Sequence, residues 1–317
     1  TDDRSTDAPA RFYSARIEIA GERLKGFSIT GVTRLMRADG TPYATYPSLE
    51  RVPDIESVRV DPGTGEIWYI TEGDGPAARA PTLVVAAPDG QFLRQVPLPS
   101  MFDLTRDQTR GPRHNQAFES LALLPDETIW ICLEGPMYED GEWPTPWRGA
   151  PVRLTNLDRN GNLIRQVAYE LEPLRRSGTR FELAGVSEIV ALDDGRLLVI
   201  EREATIGRVP FPRFTIRLFA IDVRDATNVQ RIASLRTAKY VPVRKRLVLD
   251  LTWRNTGLMT IVEGMAFGPT LDNGHRTLAL IADNNQIGLL PTQLTVFEIM
   301  DASLSPSVQD GSGGLPE

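Results

Sequence analysis

The 317-residue sequence has few of the residues on which several common chemistries depend, since it contains one cysteine and two histidines. The single cysteine, Cys132, cannot form an internal disulfide, and so few cysteines and histidines argue against a zinc site. No apolar run reaches the roughly 18 residues that a membrane-spanning helix needs, so we expect no transmembrane segment. The net charge of −7 argues against nucleic acid and anionic membranes as partners.

Motifs of three large enzyme classes are also missing from the chain. The absence of a Gly-x-Ser-x-Gly elbow leaves a serine hydrolase of that type without support. The sequence has neither a Gly-x-x-x-x-Gly-Lys phosphate loop nor a dinucleotide-binding fingerprint. Candidate functional residues therefore have to be sought in other patterns.

Acidic residues open and close four repeats of one pattern, an apolar strand followed by a turn and a second apolar strand. The repeats open at Glu56, Glu119, Glu188 and Glu263 and close at Glu72, Glu134, Glu201 and Asp283. In an antiparallel hairpin, the start of the first strand lies beside the end of the second. Each repeat therefore brings two acids to one end of a hairpin, and four hairpins around one axis predict a crowded mouth of carboxylates.

The repeats are spaced more widely than the roughly 40 residues that one four-stranded propeller blade needs. Further strand pairs are predicted between them, around the turns Pro88-Asp89-Gly90 and Asn160-Gly161 and at residues 215–221 and 229–235. Two hairpins in each period make one four-stranded blade. We therefore predict an all-β protein that forms a single β-propeller, with five blades favoured over six.

The two ends of the chain complete this prediction. We assign residues 1–302 to the propeller and residues 303–317, which include a Gly- and Ser-rich stretch, to a flexible C-terminal tail. Residues 12–19 and 28–36 are predicted strands that fit the outer half of a further blade. Either the chain is trimmed at its start, or the strand predicted at residues 294–299 completes that blade.

The predicted carboxylate mouth suits a hard cation. Calcium binds six to eight oxygen atoms, and Asn115 and Asn284 would add neutral oxygens to those of the acids. Arg113 and Arg202 lie within a few residues of the acids and could bind a phosphate group in bidentate fashion. The alternatives are that the acids only end strands at a solvated rim, and that each arginine only neutralises a nearby glutamate.

Three segments of the chain resemble sequence blocks of one family. They are Arg113-His114-Asn115-Gln116-Ala117-Phe118-Glu119-Ser120-Leu121, Gly185-Val186-Ser187-Glu188-Ile189-Val190, and Val262-Glu263-Gly264-Met265-Ala266-Phe267 with the following Ala282-Asp283-Asn284. The family is that of the bacterial phytase-like proteins, also called "esterase-like activity of phytase". The opening Asp2-Asp3-Arg4-Ser5 is similar to the end of the family's first inner hairpin, so we expect that hairpin to be truncated here.

The resemblance implies a calcium-dependent hydrolase of a phosphate ester, phytate-like or smaller, that acts at the mouth of a propeller channel. On this interpretation Ca²⁺ is held by residues drawn from Glu56, Glu119, Glu188, Glu263, Glu72, Glu134, Glu201, Asp283, Asp3 and Asn284. Substrate would be bound by Arg4, Arg113, Arg202, Asn115 and Lys245. Glu119 or His114 would activate water.

Two other functions stay open at this point. A metal-dependent lactonase or carboxyl esterase would use the same acids to polarise a carbonyl group, and a mouth poor in Arg and Lys would favour it. A calcium-stabilised propeller that binds without catalysis is the third candidate. The resemblance implies a small-molecule substrate and a periplasmic or extracellular location, although the chain shows no signal peptide. The sequence leaves the oligomeric state open.

Overall fold

The computed structural model describes residues 8–21, 23–45, 52–74, 79–175, 181–192, 194–207, 213–252, 261–284, 292–300 and residue 304. The predicted truncated hairpin at residues 2–5 and the predicted tail, apart from Leu304, lie outside these ranges. Apart from a short 3-10 helix at Ser100–Phe102, the named elements are strands. Within the described ranges, no helix has the length and apolar character that crossing a bilayer requires.

Four antiparallel sheets form the body of the molecule, and each is built from strands that follow one another in the chain. The first sheet contains β3 (Ile55–Val60), β4 (Ile67–Thr71), β5 (Thr82–Ala86) and β6 (Phe92–Val96). The second contains β7 (Phe118–Leu123), β8 (Ile129–Leu133), β9 (Ala150–Leu157) and β10 (Leu163–Leu171). The third contains β11 (Phe181–Ala191), β12 (Leu197–Ile206), β13 (Arg213–Asp222) and β14 (Arg244–Thr252), and the fourth contains β15 (Ile261–Thr270), β16 (Arg276–Asp283) and β17 (Gln293–Glu298).

The first strands of the four sheets lie next to one another. Strand β7 contacts both β3 and β11, and β11 contacts β15. This arrangement makes each sheet a blade and gives the described part of the chain a propeller-like fold. Strands β3, β7, β11 and β15 are called the inner strands below.

The predicted count of five or six blades is wrong, because the described residues form four. The N-terminal strands β1 (Arg11–Ala20) and β2 (Arg23–Arg34) make a separate two-stranded sheet. The C-terminal strand β17, which in one of the two predicted alternatives completes their blade, pairs with β16 instead. Only the base of the β1–β2 hairpin packs on the first blade, where Ala10 and Leu35 join its apolar cluster.

Apolar side chains fill the spaces between blades. One cluster joins the first three blades through residues such as Trp68, Leu121 and Ile189. A second joins the third and fourth blades through residues such as Ile200 and Met265. Each fully buried side chain of this kind stabilises the fold by roughly 1.5–3 kcal/mol. The clusters therefore fix the positions of the inner strands, whose ends carry the candidate site.

The turns predicted at Pro88-Asp89-Gly90 and Asn160-Gly161 connect β5 to β6 and β9 to β10, as expected. The predicted strand at residues 229–235 is wrong, because β13 pairs with β14 instead. Val229 and Leu235 are buried in a small cluster with Ala168 of the second blade. These residues are apolar because they cover a neighbouring blade and not because they form a strand.

Candidate functional site

Each inner strand carries a register shift at the same place. Its pairing with the next strand skips one residue between Ile55 and Ser57, Phe118 and Ser120, Val186 and Glu188, and Val262 and Gly264. A β-bulge of this kind re-aims the side chain of the extra residue and often lies beside a functional site. The residues at the four bulges are Glu56, Glu119, Ser187 and Glu263.

In the first, second and fourth hairpins the second strand ends beside this bulge, whereas β12 of the third hairpin continues past it to Ile206. In all four hairpins, the residue of the second strand that lies one pair beyond the bulge is called the hairpin end below. The backbone N–H of Glu72 donates to the carbonyl oxygen of Asp54, and that of Glu134 donates to Ala117, at 2.9 and 2.7 Å. The corresponding residue is Arg202 opposite Gly185 in the third blade, and Asp283 opposite Ile261 in the fourth. The hairpin ends therefore carry Glu72, Glu134, Arg202 and Asp283.

The third hairpin thus differs from the sequence-based alignment by one residue in both of its strands. Glu188 follows the bulge instead of occupying it, and Glu201 precedes the hairpin end. An offset of one residue turns a strand side chain to the opposite face of the sheet. The predicted equivalence of Glu188 and Glu201 with the acids of the other three hairpins is therefore wrong by one residue in each strand.

Glu188 and Glu201 belong to separate ion-pair networks. The Glu188 carboxylate accepts a hydrogen bond from the Ile189 N–H at 2.9 Å and pairs with Arg59 at 2.7 Å. Burial raises the pKa of Glu188, and Arg59 opposes that rise. Glu201 accepts from the Tyr169 hydroxyl at 2.6 Å and pairs with Lys245 at 2.8 Å.

Lys245, predicted to bind substrate, is therefore tied to Glu201. Its ammonium also pairs with Glu172 at 2.6 Å and lies over the rings of Tyr169 and Phe219, 4.9 and 4.5 Å from their centroids. These contacts satisfy the cation from several sides. They give Lys245 a role in joining the second and third blades.

One half of the mouth, which we call the acidic half, consists of Asp54, Glu56 and Glu72. One oxygen from each carboxylate lies within 4.8 Å of the others. Asp54 and Glu72 are 7% and 3% exposed, and Glu56 is half-buried. The Ala117 N–H donates to Glu72 Oε1 at 2.9 Å, so the second blade helps to orient this carboxylate.

Asp54 was not predicted from the sequence as a site residue. Asp54 precedes β3, whereas the repeat was taken to open at Glu56. The signal that could have found it is its position opposite Glu72, since the residue facing the second acid across a hairpin must lie at the same end. Its counterparts, Ala117 and Gly185, carry no polar side chain.

The acidic half fits a hard divalent cation. Calcium–oxygen distances are about 2.3–2.6 Å, so two oxygens on one ion can be up to roughly 5 Å apart. The 4.8 Å spread of the three carboxylate oxygens falls within that limit. Calcium also accepts waters and carbonyl oxygens, which would complete its coordination.

The other half of the mouth, which we call the compensated half, consists of Glu134, Arg202 and Glu263. The Arg202 guanidinium donates to Glu134 at 2.6 Å and also to Glu263, and its side chain is 6% exposed. Gly185 makes room for this pair, because a Cβ there would lie 2.4 Å from Cγ of Glu134. The compensated half therefore contains its own cation.

Glu119 lies close enough to both halves to respond to their charges. Burial raises its pKa well above the ordinary range, and the charges of Glu56, Glu134 and Glu72 raise it further, whereas Arg202 lowers it. Burial also raises the pKa of Glu134 and of Glu263, and in both cases Arg202 opposes that rise. The charge of Asp283 acts on Glu263, which places Asp283 beside the compensated half.

Arg113 anchors a loop at the edge of the second blade. Its guanidinium donates to the carbonyl oxygens of Pro136 and Gly141 at 3.1 and 2.7 Å, and it stacks 4.4 Å from the ring centroid of Tyr138. The neighbouring His114 is half-buried, and Asn115 is exposed with a φ of 58°.

Three other predicted site residues complete the survey. The Asn284 N–H donates to Asp283 Oδ1 at 2.6 Å, so these two residues meet at the end of the fourth hairpin. Asp3 and Arg4 lie outside the described residues. Of the predicted metal ligands, the mouth brings together Glu56, Glu72, Glu119, Glu134, Glu263 and Asp283.

A family model described as "Phytase-like: Esterase-like activity of phytase" matches residues 1–286 of the chain. The matched range includes all four inner strands and every residue of the two halves of the mouth. No curated protein matches the chain.

Proposed function

The chain belongs to the family described as Phytase-like, with esterase-like activity of phytase, and from this premise we propose that it is a calcium-dependent ester hydrolase. The family suggests a hydrolase, and the acidic half of the mouth could hold a metal ion. The convergence of three largely buried carboxylates within 4.8 Å carries the proposal. Calcium is the proposed ion because it takes carboxylate oxygens and tolerates irregular geometry.

Asp54, Glu56 and Glu72 would hold the ion. When bound, a metal of this kind polarises the oxygen of an ester and lowers the pKa of a bound water. Glu119 stands beside this group and is the proposed residue for proton exchange with that water or with the leaving group. Glu134 and Glu263 stay paired with Arg202 and support the mouth without binding the ion.

A phosphate ester is the first proposed substrate, because it follows from the family's description. A lactone or another carboxyl ester is the second, and one observation favours it. Arg113 is tied to loop carbonyl oxygens, Arg202 to two glutamates and Lys245 to Glu201. The three described cationic residues that we predicted to bind substrate are thus already engaged, and a carbonyl group does not need them.

The location and partners of the protein remain part of the proposal. We propose a periplasmic or extracellular location and a small-molecule ester substrate. Calcium sites of extracellular proteins work at dissociation constants of roughly 10⁻⁴–10⁻³ M. A site with only three carboxylates from one half of the mouth is suited to that range.

Calorimetric titration with calcium, run on the wild type and on a variant with Glu56→Gln and Glu72→Gln, tests the proposal. Calcium should bind the wild type, and the double variant should lose that binding while remaining folded. Glu127→Gln is the matched control, because Glu127 sits in the turn at the far end of the β7–β8 hairpin with a 78% exposed side chain. It should bind calcium as the wild type does.

The same preparations should be assayed with para-nitrophenyl phosphate and with para-nitrophenyl acetate, with calcium and with a chelator. Calcium-dependent turnover of the phosphate supports the first substrate class, and turnover of the acetate alone supports the second. Binding without turnover of either would favour the non-catalytic propeller. Absence of calcium binding in the folded wild type would reject the metal-dependent mechanism.

A further inference from the structure

The third hairpin reverses the charge that the other three hairpins place at the mouth. The other bulges carry Glu56, Glu119 and Glu263, and the other hairpin ends carry Glu72, Glu134 and Asp283. The third hairpin carries Ser187 and Arg202 at these two positions. Where each of the others supplies two acids, the third supplies one neutral residue and one cation.

The neutral residue is fixed by the next blade. Ser187 is buried, and its hydroxyl donates to the carbonyl oxygen of Val262 at 3.0 Å. A hydroxyl used in this way places no charge beside Arg202. Because the third hairpin places no acid at its bulge, the Arg202 guanidinium is neutralised by acids from the neighbouring blades.

The cation reaches both neighbours. Arg202 contacts Glu134 at the end of the second hairpin and Glu263 at the bulge of the fourth. The charge of Glu119 also acts on it, which raises the pKa of Arg202 together with the charges of Glu263 and Glu134, against the effect of burial. One guanidinium thus meets acids that would otherwise repel one another in a buried setting.

We propose that Arg202 is a built-in cation that occupies the position of a second metal ion in the mouth. A guanidinium neutralises carboxylates but has no open coordination position for water or substrate. The mouth is consequently divided into one half that takes an exchangeable ion and one half that does not. The inference extends the proposed function by making the site a single-metal one, without the second ion of a two-metal mechanism.

The test is a calcium titration of four proteins by calorimetry: wild type, Arg202→Gln, Arg202→Lys, and Arg202→Gln combined with Glu263→Gln. Arg202→Gln should bind one more calcium ion per chain than the wild type, because Glu119, Glu134 and Glu263 lose their internal cation. Arg202→Lys keeps the charge and should match the wild type. The double variant should lose the added ion.

The folded state of each variant is followed by circular dichroism with calcium and with a chelator. If Arg202→Gln is folded only when calcium is present, the ion has replaced the guanidinium and the proposal is supported. If it folds without gaining an ion, or fails to fold at every calcium concentration, the proposal is overturned. A gain of calcium by Arg202→Lys would also overturn it.

The calcium titrations also distinguish a failure of this inference from a failure of the proposed function. Adding Glu56→Gln and Glu72→Gln to Arg202→Gln removes the acidic half, so that any remaining calcium binding belongs to the compensated half. A wild type that binds no calcium, together with an Arg202→Gln variant that does, would reject the proposed function and support this inference. The reverse pattern would reject only the inference.

Discussion

The acidic half and the compensated half of the mouth are built by the same local geometry but differ in one respect. Each draws on a bulge acid and a hairpin-end acid, with Glu56 and Glu72 in one half and Glu263 and Glu134 in the other. The acidic half adds Asp54, whereas the compensated half adds Arg202. The difference shows that the backbone delivers the acids and that, among the described residues, the third side chain sets the charge of each group.

The two halves should respond to the loss of metal in opposite ways. Converging carboxylates repel one another, and bound protons or cations offset that repulsion. A buried ion pair contributes little beyond an apolar replacement, but breaking it leaves an uncompensated charge at a large cost.

Arg202→Met should have the largest effect, because it leaves the buried Glu134 without its cation. In a chelator, the free energy of unfolding should fall by about 3–5 kcal/mol, measured by urea denaturation. Arg37→Met is the control, since the exposed pair of Arg37 with Asp39 should contribute only about 0–1 kcal/mol. Equal losses in the two variants would remove the distinction between the halves.

Gly185→Ala should weaken the compensated half without removing any charge. The added methyl group would lie 2.4 Å from Cγ of Glu134 and push this carboxylate away from Arg202. We expect a loss of about 1–3 kcal/mol in unfolding free energy. Gly207→Ala, where a Cβ has nothing within 4 Å, is the control and should change stability little. If Gly185→Ala leaves the free energy of unfolding unchanged, the Glu134 side chain is easily rearranged.

The metal-free protein should lose stability as the pH rises. The folded-state pKa values of Glu119, Glu134 and Glu263 lie above the ordinary glutamate value of 4.5. Such acids hold their protons more tightly when folded, so their contribution is fully present below that value and is lost as the pH passes through the raised pKa. One such proton gives a slope of up to about 1.4 kcal/mol per pH unit.

Urea denaturation in a chelator across this pH range measures the slope. Glu119→Gln should flatten it, because Glu119 is the acid on which the charges of both halves act. A Glu127→Gln variant should keep the slope of the wild type. Stability that rises with pH would contradict the described electrostatics of the mouth.

The same substitution in each half should give effects of opposite sign. In a chelator, Glu72→Gln should stabilise the fold by about 1 kcal/mol, because it removes a like charge from a group of three. Glu134→Gln should destabilise it, because Arg202 loses a partner. Thermal unfolding of both variants measures the difference. If both shift stability in the same direction, the distinction between the two halves fails.

Sequence alone predicted the all-β character, the family and the turns at Asp89-Gly90 and Asn160-Gly161. Those turns have a local signature that needs no knowledge of the rest of the fold. The blade count was wrong, because whether β17 pairs with β16 or with β1–β2 depends on tertiary packing. The strand predicted at residues 229–235 was wrong for the same reason. Val229 and Leu235 are apolar because they pack on a neighbouring blade, and in the sequence such residues resemble those of a strand.

The acids fall at the bulges where the predicted repeat was regular, and they are displaced by one residue where it was not. At Glu119 and Glu263 the acid directly follows an apolar strand residue, and the bulge falls on it. In the third repeat Ser187 and Glu188 both precede the apolar run, and only cross-strand pairing reveals which one is the bulge residue. The role of Arg202 was hidden by the same ambiguity, because Glu201 beside it fitted the expected pattern.

The repeated bulge has a consequence for how such a protein can change over generations. Each hairpin presents its two end residues to a shared space while its strand pairing is held by residues further along. A single codon change at one of these ends alters the charge of one quadrant and leaves the register of every strand intact. The charge of the mouth can therefore change independently of the architecture, and we expect relatives with the same blades to differ in it.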